Sequence, residues 1–365
     1  MLRKISISLF GILCLAKSYA QDTTKTATSP ATTITGSVDV YYRYNFANPK
    51  DGSFNNYTSF TNSQNSFELG MATVRLDHSF GKASATADLG FGRRAQEFSY
   101  NDGNTNGFLS LANVKQLYLS YAISDKFKLT MGKWATHVGY ELLDAYANRN
   151  YSMDYMFSFG PFSHTGLKAD ISLTKKTAIM VGVANPTDFA TTTISSATAA
   201  NFTQAKFLIA QLSTATSNDK FKLYLNYQGG KVVGTSVSQF DMVINAVVTD
   251  KFNIGYNGTL ESRKPSGGSS NSFFGSALYF NVDPTSTFGL TLRGEYFDDK
   301  NNILGLSNTL AGVFDATLSA NFKVNKLTII PELRMDAAKN QIFEKNDNTG
   351  TKSTGTFILA GVYTF

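Results

Sequence analysis

The chain has 365 residues, with 33 Lys and Arg against 27 Asp and Glu, 29 Phe, 18 Tyr, 29 Gly, seven Pro, one Trp and one Cys. That charge balance provides no strong basic field for nucleic acid, and a lone cysteine excludes a disulfide-stapled domain or a thiolate metal centre. Abundant aromatic and glycine residues with few prolines favour one large sheet.

The first twenty residues read as an export signal: Arg3 and Lys4, an apolar run from Ile5 to Ala16, and the small-x-small site Ser18-Tyr19-Ala20. The run of about twelve residues is short of the roughly twenty that span a bilayer. Cys14 follows bulky Leu13, which argues against a lipid-anchored cysteine. Cleavage after Ala20 would remove Arg3, Lys4 and Lys17, leaving 30 basic against 27 acidic residues. Residues 21–33 are rich in Thr, Ala and Ser and read as a flexible leader.

A strand is expected from Ile34. Ile34, Gly36, Val38, Val40, Tyr42, Tyr44 and Phe46 share one face, with Thr35, Ser37, Asp39, Tyr41, Arg43 and Asn45 opposite. The same period of two recurs at Ala83–Gly92, Phe221–Gln228, Phe240–Val248, Phe252–Leu260 and Phe288–Tyr296. It closes the chain at Gly355–Phe365, an amphipathic strand ending on an aromatic residue.

Short turns are expected near Gly81-Lys82, Ser124–Lys126, Thr174–Lys176, Ser217–Asp219, Thr249–Lys251, Asp283–Thr285 and Val324–Lys326. Longer polar loops alternate with them near 47–65, 96–112, 136–162, 186–203, 229–238, 261–271, 298–308 and 338–353. Seven turns and eight loops join sixteen strands. The expectation is an all-β fold, a transmembrane antiparallel up-and-down β-barrel of about 16 strands at 34–365, with its C-terminal strand ending in Phe365. A soluble sandwich or surface adhesin domain would also alternate; the export signal, the turn and loop rhythm and the terminal Phe together favour the membrane barrel. Pro331 lies inside the strand Leu327–Met335 and cannot donate to the ladder, so a bulge or strand end is expected there.

With the apolar parity toward lipid, the other parity points inward. It carries Asp39, Arg43, Arg75, Asp77, Asp88, Arg94, Lys128, Lys168, Asp170, Lys222, Asp241, Arg293, Glu295, Asp315, Glu332, Arg334 and Asp336. A dry core does not hold so many unpaired ions, so the expectation is a water-filled lumen of weak charge preference, with ion pairs bracing its wall.

The most distinctive stretch runs Gly132-Lys133-Trp134, Gly139-Tyr140-Glu141, Asp144, Asn148, Asn150-Tyr151-Ser152 and Gly160-Pro161-Phe162-Ser163-His164-Thr165-Gly166. Over about 35 residues it resembles a motif of the β-barrel outer-membrane porin family described as porin-2 or OmpL-like: Gly-Lys, a Glu, Asn-x-x-Tyr-Ser, then Pro and His-Thr-Gly entering a strand. The resemblance implies a porin-like barrel and no particular solute. Family members often carry a basic residue after Tyr-Ser; this chain has Met153-Asp154, which argues against a shared anion preference.

Loop 136–162 is the longest, with room for a short helix at Glu141–Tyr146. It is expected to fold inward as a pore constriction, with Glu141, Asp144 and Asp154 facing the wall residues Arg43, Arg75, Arg293 or Arg334; Glu295 and Glu332 complete the wall set. A loop cap outside the barrel is the alternative. The function expected is passive diffusion of small polar solutes across the bacterial outer membrane. A non-conducting receptor, adhesin or scaffold is the alternative class. Expected partners are outer-membrane lipid and small polar solutes, a homo-oligomer being compatible by fold analogy, with no nucleic acid. Neither a cofactor nor a metal is expected: His78, His137 and His164 are scattered and read as structural, and loop acids such as Asp298, Asp299 and Asp347 read as solvated. No Ser-His pair suited to a phospholipase and no phosphate-binding glycine loop is apparent.

Overall fold

A computed structural model describes residues 27–50, 54–102, 111–192, 205–232, 234–306 and 310–365. The export signal and the first part of the leader lie outside them. Sixteen antiparallel strands close into a barrel: β1 (Ala27–Asn45), β2 (Ser66–Gly81), β3 (Ala83–Phe91), β4 (Val114–Ser124), β5 (Phe127–Ala135), β6 (Ser163–Ser172), β7 (Thr177–Ala184), β8 (Phe207–Ala215), β9 (Phe221–Val232), β10 (Thr235–Thr249), β11 (Phe252–Pro265), β12 (Asn271–Thr285), β13 (Phe288–Asp298), β14 (Val313–Val324), β15 (Leu327–Ala338) and β18 (Ser353–Thr364). A small hairpin of β16 (Phe343–Glu344) and β17 (Gly350–Thr351) sits in the last loop. β1 pairs with β18 and closes the ring, so no edge is left unpaired in lipid.

Alternation decides which face is which. Outward Phe67 is 86% exposed and Leu69 76%, whereas inward Arg293 and Asp315 are 0% exposed. Only a barrel surrounded by lipid favours this inversion of the usual globular pattern. Outward aromatics pair across strands near both rims: Tyr42 with Phe67 and Tyr227 with Phe240 on the loop side, Phe288 with Phe322 on the turn side. Rings at these levels form the girdles that mark membrane–water interfaces.

Six of the seven turns lie where the sequence places them. In the remaining hairpin, β12 runs through Pro284 to Thr285 and the turn moves to Ser286-Thr287. Two loops are shorter than expected. The 229–238 loop is only the link between Val232 and Thr235, and the 261–271 loop shrinks to 266–270. There the ladder continues through residues too polar to signal a strand. β1 starts at Ala27, so residues 27–33 extend a strand where a leader was expected.

Pro331 causes neither a bulge nor an end. β15 keeps its register past it on β18, through Pro331 opposite Leu359. On β14 the pairing is interrupted between Ser319–Glu332 and Phe322–Ile329 and resumes in the same register. The missing N–H therefore costs a local ladder contact and leaves the register intact.

Candidate functional site: the loop inside the lumen

Loop 136–162 leaves β5 after a sharp local twist. Gly132 has φ 136°, a region that favours glycine, and a Cβ there would lie 2.2 Å from the Leu117 carbonyl oxygen. The loop then crosses the lumen. Gly139 N–H donates to Asp241 Oδ1 (3.0 Å) on β10, and Tyr140 N–H to Asn257 Oδ1 (3.1 Å) on β11. The Tyr140 ring stacks on Tyr279 of β12 with centroids 4.1 Å apart.

Glu141 comes next. Arg293 of β13 donates Nη1 to Glu141 Oε1 (2.6 Å), and Asp154 N–H donates to Oε2 (2.8 Å). The same guanidinium donates to Asp315 Oδ2 through Nε (3.0 Å) and Nη2 (2.7 Å), and to the Ser152 carbonyl (2.8 Å). Arg293 thus ties wall and loop together with its planar fork, which Lys cannot imitate. Beyond it, Arg149 binds Asp283 bidentately (3.0 and 2.7 Å) and Thr291 Oγ1 (2.7 Å).

Two wall carboxylates hold loop backbone. Glu332 accepts from Tyr151 N–H (2.7 Å) and Ser152 N–H (3.0 Å); Glu295 accepts from Tyr155 N–H (2.7 Å) and Met156 N–H (2.8 Å). Hydrogen bonds to a charged acceptor contribute about 1.5–3 kcal/mol each. Asp154 caps the short helix α2 (Tyr155–Phe159), accepting from Phe157 N–H (2.6 Å), and also accepts from Tyr279 Oη (2.6 Å). The helix expected at Glu141–Tyr146 is instead a single 3-10 turn at Ala145–Ala147.

The wall is cut back to receive the loop. At Gly70 a Cβ would lie 1.7 Å from Asp39 Oδ2 and 2.7 Å from Tyr151 Oη, and Tyr151 donates to that Asp39 oxygen (2.6 Å). Gly70 is skipped in the β1–β2 register between Met71 and Leu69, a bulge. At Gly255 a Cβ would meet the Tyr140 ring at 2.6 Å, and at Gly275 it would meet Met156 Cγ at 2.3 Å. These inward glycines are seats for loop side chains.

Other loops close over it. Arg43 donates to the carbonyls of Phe54 (2.8 Å), Asn55 (3.3 Å) and Ser63. Arg94, expected on a strand, lies on helix α1 (Arg93–Phe98). It donates to the carbonyls of Leu143 (3.0 Å) and Tyr151 (3.3 Å), with its guanidinium 4.7 Å from the Phe60 ring centre and 5.1 Å from that of Tyr151.

Of the three loop acids, Glu141 meets an expected wall arginine directly. Asp154 is buried beside the same cluster. Asp144 pairs with Lys115 (2.6 Å), which also binds Asp88 (3.1 Å). Arg334 reaches the loop through the Met153 carbonyl (2.7 Å) and pairs with Asp336 (2.7 Å). Arg75 pairs with Asp77 (2.7 Å) on the turn side, away from the loop acids. At the level of the loop, then, the inward charges are buried and held by ion pairs or by hydrogen bonds to loop backbone; they do not line open water as expected. Below it, Lys128, Lys168, Asp170 and Lys222 remain part-exposed.

Burial shapes the loop's titration. It pushes the Glu141 carboxyl upward, reinforced by Asp154 and opposed by Arg293. Asp154 is raised mainly by burial. Tyr151 and Tyr155 are held well above the ordinary phenol range by burial and by Asp39 and Asp336 respectively, so both stay donors. His137 is pushed down to about 4 by burial and is neutral; its Nε2 lies 3.0 Å from the Tyr227 carbonyl, which only a ring N–H can approach as donor. Among the described residues no group of three or more His, Cys, Asp or Glu is arranged to hold a metal.

The glycine seats and the use of Glu295 and Glu332 as backbone acceptors were not legible in the sequence. Alternation marks these residues as inward and says nothing of what they meet.

A model of the family described as "Putative beta-barrel porin-2, OmpL-like" matches residues 31–365. Solved structures share the fold at low identity. An anion-selective porin from Comamonas acidovorans superposes with TM-score 0.60 at 12% identity, covering 92% of this chain and 100% of that one. The outer-membrane channel DcaP of Acinetobacter baumannii gives 0.60 at 12%, covering 93% and 99%. OprB of Pseudomonas putida gives 0.58 at 11%, covering 93% and 94%. No functionally curated protein matches the chain.

Proposed function

The chain belongs to that β-barrel porin-2, OmpL-like family, and from this premise we propose that it is an outer-membrane porin passing small polar solutes passively, with loop 136–162 as its constriction. The observation that carries the reading is the Arg293–Glu141 pair (2.6 Å), which fastens the longest loop across the barrel to its far wall. Sixteen strands enclose a lumen too wide for wall side chains alone to fill. A loop held there sets the size limit, and the part-exposed charges of the turn-side half keep that half wet. Nothing in the arrangement supplies an energy source, so movement is downhill. Residues 1–20 serve as its cleaved export signal, and a homo-oligomer in the membrane is compatible with it.

A second reading, a non-conducting barrel serving as receptor, adhesin or scaffold, is favoured by one observation: Arg293, Glu295, Asp315 and Glu332 are each at most 1% exposed. Planar-bilayer recording separates the two. A porin gives discrete steps, and deleting residues 142–156 enlarges them. Silent insertion of the intact protein with steps from the deletion variant supports the closed barrel. Unchanged conductance and size limit on deletion would remove the loop from the pore.

A further inference from the structure

The outer wall of β8–β11 near the loop-side rim repeats one arrangement on neighbouring strands. Tyr227 and Phe240 face each other in register on the outside, with Leu260 beyond them on β11. One step up, the outward positions are Gly229, Ser238 and Ser262, and the next step places Lys231, Ser236 and Lys264 side by side. Lys206 stands one residue beyond the Phe207–Gly230 pair, which brings it beside Lys231. All three lysines are exposed, and none forms an ion pair among the described residues.

Height and spacing give this row its meaning. Lys231 is four residues above Tyr227, about 13 Å along the strand and about 10 Å along the membrane normal for a tilted strand. That puts the ammonium groups at the polar headgroup layer, above the aromatic girdle. A Cβ at Gly229 would lie 2.4 Å from Tyr227 Oη, so the phenol lies over Gly229 and points its hydroxyl toward the rim. Below, Leu208, Leu225 and Leu260 are exposed outward and offer an apolar surface to acyl chains. Lys231 and Lys264 are separated by two strand spacings, about 10 Å.

We propose that Lys206, Lys231 and Lys264 form a site on the barrel's outer face for the phosphate groups of an outer-leaflet lipid, with Tyr227 and Ser236 as neutral hydrogen-bonding groups. The lipid is recognised by two features at once: anionic phosphate opposite the lysine row and acyl chains along the leucines beneath. A lysine near an anionic membrane surface contributes about 1 kcal/mol, so three in a row should discriminate phosphorylated from neutral headgroups. The proposal rests on the barrel's orientation in the outer membrane and not on conduction.

The test uses the folded, detergent-solubilised barrel and a lipid A bearing two phosphates, compared with the same lipid dephosphorylated. Binding is read by native mass spectrometry. We expect at least about tenfold preference for the phosphorylated form. Lys206→Gln, Lys231→Gln and Lys264→Gln combined should abolish the preference, while a Lys300→Gln, Lys339→Gln control keeps it. Heat-modifiable gel mobility checks that both variants are folded. Equal retention of the two lipids by the wild type, or an unchanged preference in the triple variant, would overturn the site. Equal binding of inorganic pyrophosphate alone would overturn its assignment to a lipid.

Discussion

Gly36 and Phe365 close the barrel on each other: Gly36 N–H donates to the Phe365 carbonyl (3.1 Å), Phe365 N–H to the Gly36 carbonyl (3.0 Å), and a Cβ at position 36 would sit 2.3 Å from Phe365 Cζ. The last side chain of the sequence therefore lies over the one position in β1 that has no side chain. Gly36→Val should push the ring off its seat and weaken the β1–β18 seam, costing about 1–3 kcal/mol. Heat-modifiable mobility should be lost at a lower temperature than in the wild type; an unchanged transition would show that the ring is readily accommodated elsewhere.

Arg293→Met should be among the most damaging single changes in the lumen. It leaves Glu141 buried without its cation and Asp315 with Arg334 alone (3.4 Å), a loss of about 3–5 kcal/mol. Adding Glu141→Gln should recover part of it, because the stranded charge is removed. The denaturation midpoints of the two single variants and the double variant measure this coupling; strictly additive effects would contradict it.

Glu295→Gln replaces one carboxylate oxygen with an amide N–H that faces a backbone donor. Hydrogen exchange at the Tyr155 and Met156 amides should accelerate by about tenfold or more, while the Tyr151 and Ser152 amides, held by Glu332, stay protected. Glu332→Gln should give the reverse pattern. Acceleration of all four amides in either variant would mean the loop releases as one unit.

Gly275→Leu should eject Met156 from its seat, since the wall there has no space for a Cβ. If the loop is the constriction, the variant should carry larger or less stable conductance steps. A variant with wild-type steps and an unchanged amide-exchange pattern in α2 would show that the seat does not set the loop position.

Asp188, in the loop after β7, accepts from the Phe162 (2.7 Å) and Ser163 (2.8 Å) N–H groups, and burial pushes its carboxyl up to about 7 from 3.8. In the docked state the group holds a proton that the detached loop would release between those values. Docking is therefore strongest below about pH 4 and weakens by up to about tenfold per pH unit until pH 7, then levels off. Protection of the Phe162 and Ser163 amides should follow that course in the wild type and lose it in Asp188→Asn; protection rising with pH would reverse the assignment.

Some of this architecture is written locally. A period of two identifies each strand from its own residues, because neighbouring side chains point to opposite faces whatever the partner. Hence the barrel, its sixteen strands, the closing role of Phe365 and the inward parity of Arg293 and Glu332 could all be read before any pairing was known. The motif around Asn150-Tyr151-Ser152 lies in the loop that crosses the lumen to Glu332. What could not be read were relations between distant segments. Whether an inward charge meets water or another charge depends on how far loop 136–162 reaches. Its reach depends on seats such as Gly70, Gly255 and Gly275, which are far from it in sequence and look like any other strand glycine. β9–β12 also extend past their expected ends, because ladder pairing continues through Lys231 and Lys264, residues whose own composition argues for a loop. The alternation of single strands set the fold; only closure of the ring determined that the charges expected to line open water would be used to hold a loop.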